Sequence, residues 1–396
     1  MHNSTDNYMN LTLSVPKGSS NHGNPQLLCT PPAWYDLPLF FLSNYLAHAA
    51  TVISSPGEHW LNTLYVATYA LLLPMSGVAR AFSAICYYAR FKKDPIQKAA
   101  RAGALCMVGR KVLGAGRQLA QDNREWWDAN DRDYEDTWGP IDDARRSVNG
   151  SFTLNQEFCL LTVPPKAPVA ALGTAGPGSE YALAPSLNSP KLIISLVQAF
   201  WAAFTLYRAR GDQIEQYGYA AFGLTVAQYA FMSILNTLGN LAQPEYPFMS
   251  IIRTPLMDEA EKSGCSFEGD IKVQLGQGAA PSETTFLWKD QLLIHAICGA
   301  LLGAAVVLGI MGGLSGCKPR NSTSLQRGFT MTWLVVSIAF APVGRMMLVA
   351  GTQGGFKTDR IVAIMLTVIG FGAPAIGGMV VVGLMIQKFG VCVRLG

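Results

Sequence analysis

Charge is what this sequence has least of. Only 14% of its 396 residues are Asp, Glu, Lys or Arg, against roughly 25% in a soluble globular protein. The charges gather in two stretches and leave long apolar runs almost bare. Those runs hold no Asp or Glu in their interiors, which argues against a proton-coupled pump, because such pumps carry buried carboxylates. A formal net charge of +4 is too small to argue for a nucleic-acid partner. Eight cysteines are scattered along the chain, with no C-x-x-C pair and no Cys/His ligand spacing. The expectation is no metal and no cofactor. No internal repeat is visible, so the signature of many secondary transporters is missing. The first 36 residues contain no basic stretch leading into an apolar core. No cleavable leader is read there, and the first apolar run is expected to act as the targeting signal.

What the chain does have is hydrophobic length. Hydrophobic residues reach 50% and the mean hydropathy is +0.22. A bilayer core about 30 Å thick takes roughly 20 apolar residues as helix. Seven stretches approach that: Leu37 to Ile53, Trp60 to Ala79 with a kink expected at Pro74, Leu192 to Tyr207, Tyr217 to Leu241, Gln291 to Leu314, Phe329 to Ala350 and Ile361 to Ile386. The expected fold class is an all-α integral membrane protein with about seven transmembrane helices and two long polar loops. It divides into a polar tail (1–36), a first hairpin (37–79), a long polar loop (80–191), a second hairpin (192–241), a polar loop (242–289), three helices (290–386) and a tail (387–396). An endomembrane or the plasma membrane would hold it. On this map the turns Ser54 to His59 and Arg208 to Gln216 fall on the same side.

The first long loop opens basic, turns acidic and aromatic over EWWDANDRDYEDTWGPIDD (Glu125 to Asp143), then becomes rich in Pro and Gly. The run SFTLNQEFCLLTV (Ser151 to Val163) suits a small hairpin. Pro255 to Ser263 suits a short helix. Cys159 and Cys265 would pair if the loops are lumenal. Sidedness signals conflict: the basic run after the second span points to the cytoplasm. Sequons at Asn3, Asn10 and Asn149 point to a lumen, with Asn321 opposite.

Polar groups in hydrocarbon mark either a pocket or helix-to-helix glue. Asn44 and His48 are four apart and so share a helix face. Tyr229, Ser233, Asn236 and Asn240 follow the same logic, with Gln228 beside them. His295 and Arg345 are further polar positions in spans. Glu58 and Asp212 stand at span boundaries, where desolvation makes a carboxylic acid a plausible proton donor. Acids at Asp131, Asp133, Glu135 and Asp142 match part of a calcium loop, but Asp136 stands where that loop needs Gly. Gly299 and Gly303 form a G-x-x-x-G that suits close helix packing.

The runs NYLAHAATV (Asn44 to Val52), ARAGALCMV (Ala100 to Val108), RARGDQIEQYGYAAFGLTV (Arg208 to Val226) and PLMDEAEKSG (Pro255 to Gly264) resemble a family of polytopic membrane proteins of filamentous fungi. The resemblance implies a fungal source and an intact family fold, and it carries no catalytic residue across. Fungal membrane proteins of this size include noncanonical terpene cyclases of secondary metabolism, an analogy of class.

Three functions follow as expectations. The first is an intramembrane enzyme acting on a lipophilic, isoprenoid-like substrate by acid-initiated cyclisation or isomerisation. Glu58, Asp212 and His48 would be catalytic, and Asn44, Tyr229, Asn236 and Asn240 would line the pocket. Trp60, Tyr65 and Trp201 would face cationic character. The second is a transporter or channel, and the third a seven-span receptor or scaffold. Membrane lipids and a lipophilic small molecule are the expected partners.

Overall fold

Helices dominate, and each satisfies its backbone hydrogen bonds within itself. The computed structural model describes residues 14–110, 146–165, 167–171, 183, 185–275, 286–344, 365 and 368–395. Strand β1 (Leu27–Thr30) leads to α1 (Asp36–Phe41), which continues through a π-helical turn (Leu42–Leu46) and Ala47–Ala49. Then come α2 (Trp60–Leu72) and α3 (Pro74–Tyr87). Helix α4 (Pro95–Ala102) starts on Asp94, whose carboxylate accepts from Ile96 N, and stops at Gly103 in the left-handed region. These are the expected cap residues. Strands β2 (Leu105–Arg110), β3 (Phe152–Thr153), β4 (Phe158–Thr162) and β5 (Val169–Ala171) follow.

Helix α5 (Ser189–Ala209) is capped by Asn188, and α6 (Asp212–Tyr217) turns the chain. A 3-10 stretch (Phe222–Val226) opens α7 (Ala227–Ala242). After β6 (Ser250–Ile251) come α8 (Pro255–Lys262), β7 (Ser266–Phe267) and β8 (Val273–Leu275). Helix α9 (Phe286–Ser315), α10 (Ser324–Ala339) with its π turn (Phe340–Gly344), a π turn (Val368–Gly372) leading into α11 (Ala373–Phe389), and β9 (Val391–Arg394) complete the described chain.

The chain is mostly helical, but it is not all-α. The two stretches expected as polar loops build a small domain around the sheet β4-β2-β6. Strand β2 pairs antiparallel with β4 and parallel with β6, so it is a central strand covered on both faces. On one face Leu105, Met107, Cys159 and Leu161 pack with α4, β5 and β8. On the other, Cys106, Val108, Phe158 and Leu160 pack with α8 and β7. Such continuous burial hides the period-2 alternation by which a strand is usually recognised. Ser151 to Val163 forms no hairpin: β3 pairs with β7 and β4 with β2. Cys159 and Cys265 are not joined, because they sit in the cores on opposite faces of the sheet.

Three helices are long and apolar enough to cross a membrane: Ser189–Ala209, Leu293–Ser315 and Ile369–Phe389. Two bent pairs raise the number to five if each counts as one span. The expected seven is therefore not reached by length and composition among the described residues. The first run is short: Asp36 to Ala49 covers about 21 Å at 1.5 Å per residue.

The second run is the main departure. It breaks at Leu73–Pro74, where α2 and α3 meet at 117°. Both outer ends lie against the sheet domain. Glu58, just before α2, bridges to Arg146, and the Tyr87 carbonyl at the end of α3 accepts from Arg101 Nη1 at 3.1 Å. Gly57 takes a positive φ there, and a Cβ would strike the Ser147 carbonyl. The tip lies deep in the helices: Trp333 Nε1 donates to Leu72 O at 2.7 Å, Tyr229 Oη donates to Leu71 O, and Met75 N donates to Ser337 Oγ at 3.2 Å. Pro74 lacks an N–H, so the break frees backbone groups that these side chains satisfy. Close packing holds the hairpin. Gly239 of α7 meets Ala81, and Gly299 and Gly303 of α9 meet Phe82 and Met75.

The opposite end of the helices gathers both ends of the described chain. Strand β1 pairs with β9, and Cys29 and Cys392, directly opposed in that ladder, form a disulfide. His22 stacks on Phe389. Tyr219 N donates to Lys318 O and Asn321 N to Gln216 O at this same end.

Candidate functional site

The polar positions expected to form a pocket fall into a closed seam and an open cavity. In the seam, α1 and its extension lie against α5 and α7. His48 Nδ1 lies 2.5 Å from Ser233 Oγ, and Tyr45 Oη 2.6 Å from Thr225 Oγ1. Asn236 Nδ2 reaches Thr51 Oγ1, and Asn240 Nδ2 donates to Asn236 O at 2.8 Å. Gln198 Nε2 donates to Ala47 O at 2.5 Å. All of these side chains are buried.

His48, Tyr229, Asn236 and Asn240 are therefore on one interface, and Asn44 lies on its α5 side. It accepts from Thr205 of α5 at 2.8 Å. Tyr229 faces inward to Leu71 and stacks on Tyr45 at 4.6 Å. His48 Nε2, Gln228 Oε1 and Asn236 Oδ1 have no hydrogen-bond partner among the described residues. Otherwise the seam is filled by its own hydrogen bonds.

The two boundary acids are far apart. Asp212 Oδ1 accepts from Asn24 at the disulfide end. Helix α5 begins beside Ser54, where Lys191 Nζ donates to Ser54 Oγ at 3.0 Å, and its 21 residues end just before Asp212. That length puts roughly 30 Å between Asp212 and the Ser54–His59 turn. The same-side expectation is corrected, because the second run doubles back. Glu58 is buried. Its carboxylate accepts from Ser55 N at 2.9 Å and from Asn62 Nδ2, and lies 3.6 Å from Arg80 Nη1. Each oxygen accepts one hydrogen bond and keeps a second lone pair on which a proton can sit.

The cavity lies beside Glu58, between the α2–α3 hairpin and the sheet domain. It holds 480 Å³, within the usual range for a small-molecule site. Tyr65, Val66, Tyr69, Phe340 and Ala341 line one end, and Tyr69 stacks on Phe340 at 5.2 Å. Arg80, Arg101 and Arg146 line the other with Ser54, Ser55 and Gln243. Its wall draws on residues from 53 to 341, so no local motif announces it. Burial pulls the Arg146 guanidinium below its ordinary value, Glu58 draws it back up, and Arg80 pushes it down. Trp60 and Trp201 point outward and are exposed, so of the three aromatics expected around a cation only Tyr65 lines the cavity.

His295 lies edge-on between Phe82 and Tyr87. Arg345 and the acids from Asp131 to Asp142 lie outside the described residues. Among the described residues the one group with metal-ligand spacing is His22, Cys29 and Cys392, and its two sulfurs are bonded to each other.

No family model, no curated protein and no solved structure matches this chain. The site must be read from its own geometry.

Proposed function

We propose that this is a multi-pass membrane protein that acts on a lipophilic substrate held in the cavity beneath the α2–α3 hairpin. The observation that carries this reading is the cavity's position: one end at the depth of the hairpin, the other under the sheet domain. The outer face of α2 supports it. Trp60, Leu61 and Leu64 are each more than half exposed, and an apolar face of that kind belongs in lipid. A substrate dissolved in the bilayer would reach the cavity past this helix.

The topology we propose has six crossings and one re-entrant hairpin. The first helix, α5, α7, α9, α10 and α11 cross, and α2–α3 dips in and returns. An even number of crossings fits the Cys29–Cys392 link, since both partners must lie on one side. A disulfide belongs to an oxidising compartment, which supports a lumenal or extracellular disulfide end and a cytoplasmic sheet domain.

Acid-initiated isomerisation or cyclisation of an isoprenoid-like substrate is the reaction we propose for this cavity, with Glu58 as the acid nearest to it. Lipid-soluble metabolites should be compared in cells expressing the wild type, the Glu58→Gln variant, or no protein. An isomer that appears only with the wild type supports the enzyme. Identical profiles in all three would overturn it and favour transport or signalling.

A further inference from the structure

Three guanidinium groups converge on the domain-side end of the cavity, and one carboxylate answers them. Glu58 is engaged with Arg80 at 3.6 Å, and Arg80 also donates to Ile53 O at 3.3 Å. Arg101 has a single backbone acceptor, the Tyr87 carbonyl. Arg146 is in the poorest position. It is largely withdrawn from water, and its Nη1 meets only the Met249 sulfur, at 3.6 Å, which is a weak acceptor. Among the described residues, neither Arg101 nor Arg146 has a carboxylate at salt-bridge distance. The contrast with Arg253, on the far side of the same domain, is direct. Arg253 meets Asp258, Glu261 and Asp270 at 2.6–2.9 Å, and these bonds raise its pKa above the ordinary arginine value. This fold can neutralise an arginine when it needs to.

Buried cations are costly unless paired, and like charges side by side cost more. Two arginines left without carboxylates beside a third are therefore a site prepared for an anion from outside the chain. Planar forks pair best with groups offering several oxygens, as phosphates do. The other end of the cavity, at Tyr65, Tyr69 and Phe340, suits a hydrocarbon chain. We infer that the cavity binds an amphiphile with a phosphate or diphosphate head among Arg80, Arg101 and Arg146, and its chain along Tyr65 and Tyr69 toward Phe340. The inference rests on the cavity being the substrate site, and it adds the substrate's charge. Cationic heads are rejected by the same three groups.

The test uses the full chain in phosphatidylcholine nanodiscs and three probes: oleoyl lysophosphatidic acid, its uncharged counterpart monoolein, and inorganic phosphate. The phosphate-bearing amphiphile should bind about tenfold or more tighter than monoolein. Inorganic phosphate should compete only at far higher concentration. Arg101→Gln and Arg146→Gln should each weaken the charged amphiphile about tenfold and leave monoolein within about twofold. Arg101→Gln, whose side chain holds only a backbone carbonyl, guards against loss of folding, and Lys93→Gln on the nearby surface should change nothing. Equal binding of both amphiphiles, still blocked by Ser83→Trp in the cavity wall, would overturn the anionic head while keeping the cavity as substrate site. Binding of neither would overturn both. Charged binding that ignores the arginine variants would place the lipid elsewhere and overturn the inference. Competition by inorganic phosphate at the same concentration as the amphiphile would make this a free-phosphate site.

Discussion

Tyr229, Trp333 and Ser337 each give one polar group to the backbone freed at Leu73–Pro74. Tyr229→Phe keeps the ring and removes a donor, whereas Trp333→Phe removes a donor and also shrinks a fully buried ring; both leave a carbonyl unmet in the interior. Each is expected to cost about 1–3 kcal/mol, seen as a lower Tm in detergent. A Tm equal to wild type for both would remove the break's dependence on them. The seam residues are a different case. His48 bonds to Ser233 and Asn236 to Thr51 across helices, and such bonds in membranes average about 0.6 kcal/mol. Asn236→Leu should lower Tm slightly and leave solute flux in reconstituted vesicles at the level of empty ones. Flux present in wild type and abolished by Asn236→Leu would make the seam a path. Sequence spacing identified Tyr229, Ser233, Asn236 and Asn240 as one face, because an unbroken helix keeps its 3.6 period. It did not show the π turn at Leu42–Leu46, which a period-based reading cannot see.

At the level of elements, hydropathy records how long an apolar run is and not which way it travels. The run from Trp60 onward was legible as apolar and as kinked at Pro74. A 117° bend and a modest kink leave the same composition. The return of α3 is decided by small residues, with Gly77 admitting Met232 of α7 and Gly239 admitting Ala81. The hairpin makes a prediction that a crossing helix does not. In a background with Cys86, Cys298 and Cys317 replaced by serine, single cysteines at His59 and Tyr88 should both react with a membrane-impermeant thiol reagent added from one side. A cysteine at Gln213, beside Asp212, should react from the other. Labelling of positions 59 and 88 from opposite sides would restore a full crossing. The sheet was missed for a related reason: β2 and β4 are buried on both faces and read as featureless apolar runs.

For the whole molecule, the link between Cys29 and Cys392 joins positions 363 residues apart. Loop-closure entropy for so long a separation would predict a large stabilisation, at the upper end of the usual 0–5 kcal/mol. That overstates it here, because inserted helices already limit the unfolded chain. About 2–4 kcal/mol is the expected loss in Cys29→Ser, measured as Tm, with reductant destabilising the wild type and not the variant. On the proposed topology the bond also implies an orientation. Residues 3 and 10 precede Cys29 without an intervening span, whereas Asn149 belongs to the sheet domain at the other end. Any N-linked glycan should therefore sit on Asn3, Asn10 or Asn321, which shares the disulfide end, and none on Asn149, when each sequon is removed in turn and mobility is compared after deglycosylation. The basic residues that seemed to set the tail and the long loops together divide between the two faces once the second run is seen to return. On the proposed topology the arginines of the cavity face the cytoplasm, where phosphate-bearing amphiphiles would reach them. A glycan on Asn149 would turn the molecule over. It would put the sheet domain in the lumen and require the cavity's substrate to come from that side.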